Sequence, residues 1–184
     1  FVARDRLLPV VVRCHAAASG PGRVIQRAGA VLTVPDSALG EELCAVLDGT
    51  GVAVRLAADF ASDAWAKLCS NAAAGGITAL TGGPIGVMRR PDIAELARGL
   101  VEEAMAVGRA EGARFPDGFA DQLMAEWLAQ SPGDTTSIQL ERLAGQPLEY
   151  DARNAVVVRL GERHGIPTPV SRAVTALLAA ISDG

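Results

Sequence analysis

Four side chains are of types and spacings that could do acid–base and binding chemistry together: Lys67, Asn71, Ser137 and Glu149. Lys67 lies in Asp63-Ala64-Trp65-Ala66-Lys67-Leu68-Cys69-Ser70-Asn71 and is the sole lysine in a chain with sixteen arginines. Arginine stays protonated under nearly all conditions, whereas lysine is a compact donor whose pKa falls readily on desolvation. A lysine kept where arginine serves everywhere else fits delivery of a proton to a substrate oxygen. Taken alone, it fits a solvated lysine on an amphipathic helix better. If residues 60–80 are helical, Lys67 and Asn71 are four apart and project from one face, placing a proton donor beside a neutral amide. Asparagine is a mediocre helix former, and the chain holds just one other, Asn154.

A second polar cluster lies downstream, in Thr135-Thr136-Ser137, Glu149-Tyr150-Asp151 and Asn154. Ser137 is most simply the N-cap of the helix after it, a position from which it can also touch a ligand. Glu149 at a helix start has a structural use as a complement to the helix dipole or as half of an ion pair. His164 before Gly165 reads as a charge complement at a helix C-terminus. His15 beside Cys14 has no further ligands at useful spacing, so no metal site is expected. Cys14, Cys44 and Cys69 form no CxxC pair and are expected to be buried small hydrophobes. Trp65 and Trp127 read as core anchors. Arg89-Arg90 reads as an exposed helix start in preference to a phosphate contact.

These groups need a scaffold, and 184 residues with 49% hydrophobic content can bury a real core. The formal charge of −4 is interspersed and aromatics are 4%, which gives neither a basic stripe nor stacking platforms for nucleic acid. No apolar run reaches the roughly 18 residues of a membrane span. Residues 3–18 read as a short helix or a helix-to-strand passage, ended by Gly20-Pro21-Gly22. The stretches 23–27 and 30–34 read as a β-hairpin. A helix over 38–48, capped by Asp36 or Ser37, and a strand over 52–56 follow. Beyond Phe60 the pattern is helical: about 60–80, 91–112, 116–130, 137–144, 148–164 and 169–182, the last expected to pack inside. The chain thus divides near residue 58 into a small α/β piece, 1–58, and a helical domain, 59–184.

Several strings together resemble the ketopantoate reductase family, NADPH-dependent enzymes of pantothenate biosynthesis that reduce a 2-keto acid. They are Trp65-x-Lys67-Leu68-x-x-Asn71 leading to Ile77-Thr78-Ala79-Leu80, Glu102-Glu103 through Gly112, Thr136-Ser137, and Glu149-Tyr150-Asp151 with Asn154. The resemblance covers nearly all of the chain, with Leu7-Leu8-Pro9 and Pro21-Gly22-Arg23-Val24 resembling the region before the helical domain. It implies a mainly α fold: the helical C-terminal domain of a ketopantoate-reductase-like, 6-phosphogluconate-dehydrogenase-like protein, preceded by a small α/β remnant of a Rossmann-type domain. It implies Lys67 as the general acid that protonates the ketone oxygen and Asn71 as a substrate ligand that helps hold the lysine. Ser137 would contact the carboxylate or hydroxyl end, and Glu149 the nascent hydroxyl. The implied partners are a small 2-keto acid, a Rossmann domain outside this chain and a second copy in a homodimer; the implied location is cytoplasmic.

Two departures modify that expectation. The family carries a second asparagine one helical turn after the first, and here that position is Gly75, which removes an amide and is expected to enlarge the pocket. The family's strand–GxGxxG–helix fingerprint for the dinucleotide is also missing: Gly20-Pro21-Gly22 has proline in the turn, and Gly49-Thr50-Gly51 joins a helix to a strand. The expectation is therefore the substrate and proton-donor portion of a reductase that binds no dinucleotide well by itself. The alternatives are a non-catalytic helical dimerisation module and a reductase of a different small 2-keto acid.

Overall fold

A β-branched stretch ending in proline, Val31-Leu32-Thr33-Val34-Pro35, forms the central strand of the first of two compact units, Phe1–Ala64 and Trp65–Gly184. The computed structural model describes residues 3, 6–14, 16–26 and 29–183.

In the first unit, β1 (Val11–Arg13), β2 (Ala16–Gly20), β3 (Arg23–Gln26), β4 (Val31–Pro35), α1 (Ala38–Leu47) and β5 (Ala53–Ala57) follow in order. β4 pairs antiparallel with β1 and parallel with β5, with Val34 opposite Leu56. The parallel pairing requires a crossover, supplied by α1. Ser37 caps α1 by accepting the Gly40 N–H at 3.2 Å. Gly40 allows the close approach of helix to sheet, since a Cβ there would stand 2.5 Å from the Pro35 carbonyl oxygen.

The expected hairpin of 23–27 with 30–34 is not formed. β3 pairs instead with β2, Gly20 opposite Arg23, around the two-residue turn Pro21-Gly22 with Gly22 at φ +69°. A glycine at positive φ closes a two-residue hairpin cheaply, so that turn takes β3. β4 is held by its parallel partner. Ala28 of the expected turn lies outside the described residues. Residues 11–13 and 16–20 are strands, where a helix or a passage to strand was expected.

The second unit is helical. The helix α2 (Phe60–Ser70) crosses the boundary and runs without a break into a π-helical turn, Asn71–Gly75, and then α3 (Gly76–Thr81). A 3-10 turn (Ile85–Arg89), α4 (Pro91–Ala110), α5 (Phe119–Ala129) and α6 (Ser137–Leu143) follow. A second π turn (Asp151–Ala155) leads into α7 (Val156–His164), and α8 (Pro169–Ser182) completes the unit. The small residues Ala72-Ala73-Ala74-Gly75-Gly76 are all buried, so this segment passes through the middle of the unit, among Leu100, Val101, Ile138, Val157, Val174 and Leu178. Small side chains let helix backbones approach closely, which is why the most Ala/Gly-rich stretch takes the central place.

The regular helix expected over 60–80 thus carries a π turn in its middle. α8 buries Ser171, Val174 and Leu178, but Leu177 is 57% exposed, so the helix lies on the core by one face. Of the cysteines Cys69 alone is buried; Cys14 is exposed and Cys44 half-buried, contrary to expectation, because both sit on the small sheet unit. Among the described residues no helix is long and apolar enough to cross a membrane.

Candidate active site

The helix that bears Lys67 is fixed on several sides within the second unit. Trp65, two residues earlier, packs on α4 at Gly108, where a Cβ would stand 3.0 Å from the indole. Trp127 of α5 donates its indole N–H to Ser70 Oγ at 3.4 Å, so both tryptophans are core anchors, as expected. Lys67 and Asn71 are each half-buried. Asn71 opens the π turn, which packs against α4, α6 and the second π turn. A π turn holds one residue more than an α turn and is often found at functional positions.

The second π turn is tied to the first by Asn154. This side chain, 1% exposed, donates from Nδ2 to the Ala72 carbonyl at 2.8 Å. Its Nδ2 would lie 3.1 Å from a Cβ on Gly76, so glycine at 76 makes room for the amide. Its burial contrasts with the exposed position of Glu149 and Ser137. The two chain segments that carry the candidate residues are therefore joined by a buried hydrogen bond, and a second bond links Thr78 Oγ1 to Thr136 Oγ1 at 2.7 Å.

Ser137 is not the N-cap. Thr136 takes that place, in a reciprocal box with Gln139: the Gln139 N–H donates to Thr136 Oγ1 and the Thr136 N–H to Gln139 Oε1. Ser137, one residue inside the helix, keeps its hydroxyl for another partner. That partner is Arg153, whose Nη2 donates to Ser137 Oγ at 3.1 Å. The same Nη2 donates to Glu149 Oε2 at 2.7 Å, and Nε to the same oxygen at 3.3 Å. Glu149 is thus in an i,i+4 ion pair, one of its two structural uses read from sequence. The Arg153 side chain is 15% exposed and that of Glu149 62%.

The space beside Gly75 belongs to the same cluster. A Cβ built there would meet Ile138 Cγ2 at 3.2 Å and Arg153 Nη1 at 3.9 Å. Glycine therefore does not open the pocket as expected: the room left by the missing side chain is taken by Ile138 and the arginine. Ser137, Glu149 and Gly75 all meet at Arg153, which sequence reading had not singled out. Its only signal was the i,i+4 relation to Glu149, one among many charge pairs in an arginine-rich chain.

Among the described residues, neither of the two turns that lead from a strand into a helix fits the phosphates of a dinucleotide. The turn from β4 into α1 carries Asp36 and no glycine, and its Ser37 hydroxyl already accepts the Gly40 N–H. The turn from β5 into α2 is closed by Asp59, whose Oδ1 accepts the Ser62 N–H at 3.2 Å. A carboxylate at a helix N-terminus repels the anion that such a turn would otherwise hold. Among the described residues no group of three or more His, Cys, Asp or Glu is placed to hold a metal.

Residues 59–182 match the family model of the ketopantoate reductase PanE/ApbA C-terminal domain. The chain belongs to the ketopantoate reductase family. It is 42% identical over 179 residues to a 2-dehydropantoate 2-reductase of Caulobacter vibrioides, covering 97% of this chain and 61% of that protein. A 2-dehydropantoate 2-reductase of Mycobacterium tuberculosis is 41% identical, with 97% of this chain and 60% of that protein covered. The chain thus spans about three fifths of the length of these curated relatives. Among solved structures, a dimeric ketopantoate reductase from Staphylococcus aureus superposes with TM-score 0.89 at 25% identity, over 95% of this chain and 60% of that one. A D-mandelate dehydrogenase in complex with NADH shares the fold, with TM-score 0.86 at 17% identity over 100% of this chain and 64% of that one. The fold is accordingly the helical C-terminal domain of ketopantoate-reductase-like proteins, as expected.

Proposed function

We propose that this chain is the substrate-binding and proton-donating portion of an NADPH-dependent reductase of a small 2-keto acid, with ketopantoate the first substrate to try. The observation that carries the proposal is the junction of segments at the two π turns: the helix of Lys67 runs directly into the turn opened by Asn71, which packs on α6, begun by Ser137, and on the second π turn, which follows Glu149 by two residues. Reduction of a ketone to an alcohol needs a hydride at carbon and a proton at oxygen. The hydride would come from NADPH bound by sequence outside this segment, and no step through the nucleotide is assigned to residues here.

Lys67 has the right chemistry for the proton, since an ammonium can give one up to the developing alkoxide while a guanidinium cannot. Asn71, one turn on, would orient the substrate and the lysine. Glu149 would accept the hydrogen bond of the new hydroxyl, and Ser137 would donate to the acid end. In this scheme the domain beginning near residue 59 holds the substrate, and residues 1–58 are the end of the nucleotide-binding domain. The dimeric state described for the Staphylococcus aureus protein is the assembly proposed for the whole protein, in the cytoplasm.

The test is NADPH oxidation by the full-length protein across a panel of 2-keto acids. Turnover with at least one acid is expected. No oxidation with any member of the panel, ketopantoate included, contradicts the reading and favours the dimerisation module.

A further inference from the structure

We infer that Arg153 binds the carboxylate of the 2-keto acid, its guanidinium filling the place where Gly75 lacks a side chain. This rests on the reductase reading above and concerns how the same site selects its substrate.

A 2-keto acid brings a negative charge one bond away from the carbonyl that is to be protonated. Lys67 is the only lysine, and a lysine that gives its proton to the ketone oxygen cannot also serve as the lasting counter-charge of the acid. The Glu149 carboxylate nearby makes the need greater, since two carboxylates in one site repel. Arg153 is the cation bonded to both Ser137 and Glu149. Of its five N–H donors, the one on Nε and the two on Nη2 are directed at Glu149 and Ser137. The remaining two are on Nη1, which lies 3.9 Å from the Cβ position of Gly75. The two Nη1 N–H groups, directed at neither Glu149 nor Ser137, are the donors suited to a carboxylate, which a charged guanidinium binds more strongly than a neutral amide does.

The volume at residue 75 is fitted to the arginine. An asparagine at position 75 would be pressed against Ile138, whose Cγ2 is 3.2 Å from the Cβ position. Its amide would then compete with Arg153 for the same volume. The glycine and the arginine are thus complementary, and the acid group is read by a cation rather than by a neutral amide. At 15% exposure the arginine is partly desolvated, which strengthens a charged contact.

The experiment uses the full-length reductase, the 2-keto acid it turns over best, and the primary amide of that acid, similar in shape but uncharged. The unaltered enzyme should prefer the acid in kcat/KM. Arg153→Met should lower kcat/KM for the acid by roughly 10- to 100-fold, mainly through KM, and leave the amide nearly unchanged. Arg153→Lys should recover part of the preference for the acid. Equal losses on acid and amide in Arg153→Met, or no loss on either, would overturn the inference while leaving the reductase reading in place. An unaltered enzyme that reduces the acid and the amide equally well overturns it without any variant, so the inference stays testable even if Arg153→Met does not fold. Failure of the unaltered enzyme to reduce any 2-keto acid overturns the functional reading and the inference with it.

Discussion

Cys69 is fully buried in the helical unit, and burial pushes its thiol up from the ordinary 9.0 to about 12. The folded state therefore keeps a proton that the unfolded chain releases near pH 9. Stability from this source is fully present below that pH and is lost as pH rises toward about 12, at about 1.4 kcal/mol per pH unit. Cys69→Ala should make the fall in stability between pH 9 and 11 shallower, measured by urea unfolding. An equally steep fall in the variant contradicts the account. At this scale the sequence was partly legible. Lys67 could be singled out because it is unique in its type, and uniqueness is visible without a structure. Arg153 could not, being one of sixteen; only the meeting of residues 75, 137, 149 and 153 in space sets it apart. Ser137 was misread as a cap because Thr136, equally able to cap, precedes it, and Gln139 three residues after Thr136 decides between them.

Two helix ends in this unit are closed by side chains from other elements. Pro169 at the first position of α8 has no N–H, and Thr168 offers no side-chain cap. The next two N–H groups, of Val170 and Ser171, donate to the two carboxylate oxygens of Glu103 on α4 at 2.9 and 2.8 Å. Glu103→Ala should lower unfolding stability by about 2 kcal/mol, from lost cap bonds to a charged acceptor. Glu103→Gln, which keeps one acceptor, should fall between. A loss within a few tenths of a kcal/mol of zero for the alanine variant would show that water replaces the carboxylate. Arg89 acts similarly, donating to the carbonyls of Leu128 and Gln130 at the end of α5, so it is more than an exposed helix start. Arg90 is an exposed pair with Asp92, whose carboxyl the guanidinium holds below the usual range. His164 meets Glu111 across α7 and the end of α4 in addition to standing in the last turn of α7. Helix positions were legible because periodicity, Pro91-Asp92, Gly112 and Gly165 are local signals. The π turns were not, since they follow from packing of the Ala/Gly segment on Ile138 and Asn154. Strand pairing failed for a related reason: which turn closes a hairpin depends on a non-local competitor, here β5 for β4.

For the molecule as a whole, family and fold class could be read from ordered motifs spread over the chain, and the match over residues 59–182 bears this out. Each unit follows its own logic, a βαβ crossover in the first and helices gathered around a small-residue segment in the second. The chemistry proposed for the second unit rests on a proton donor that no arginine can replace. The decisive measurement is turnover of a 2-keto acid by the full-length protein with Lys67→Ala and Lys67→Arg, each checked for folding by circular dichroism. The account predicts that Lys67→Ala lowers kcat by roughly 10²- to 10⁴-fold and that Lys67→Arg does not restore it. Turnover in folded Lys67→Ala equal to that of the unaltered enzyme, or full rescue by arginine, would contradict the assignment of Lys67 as the acid.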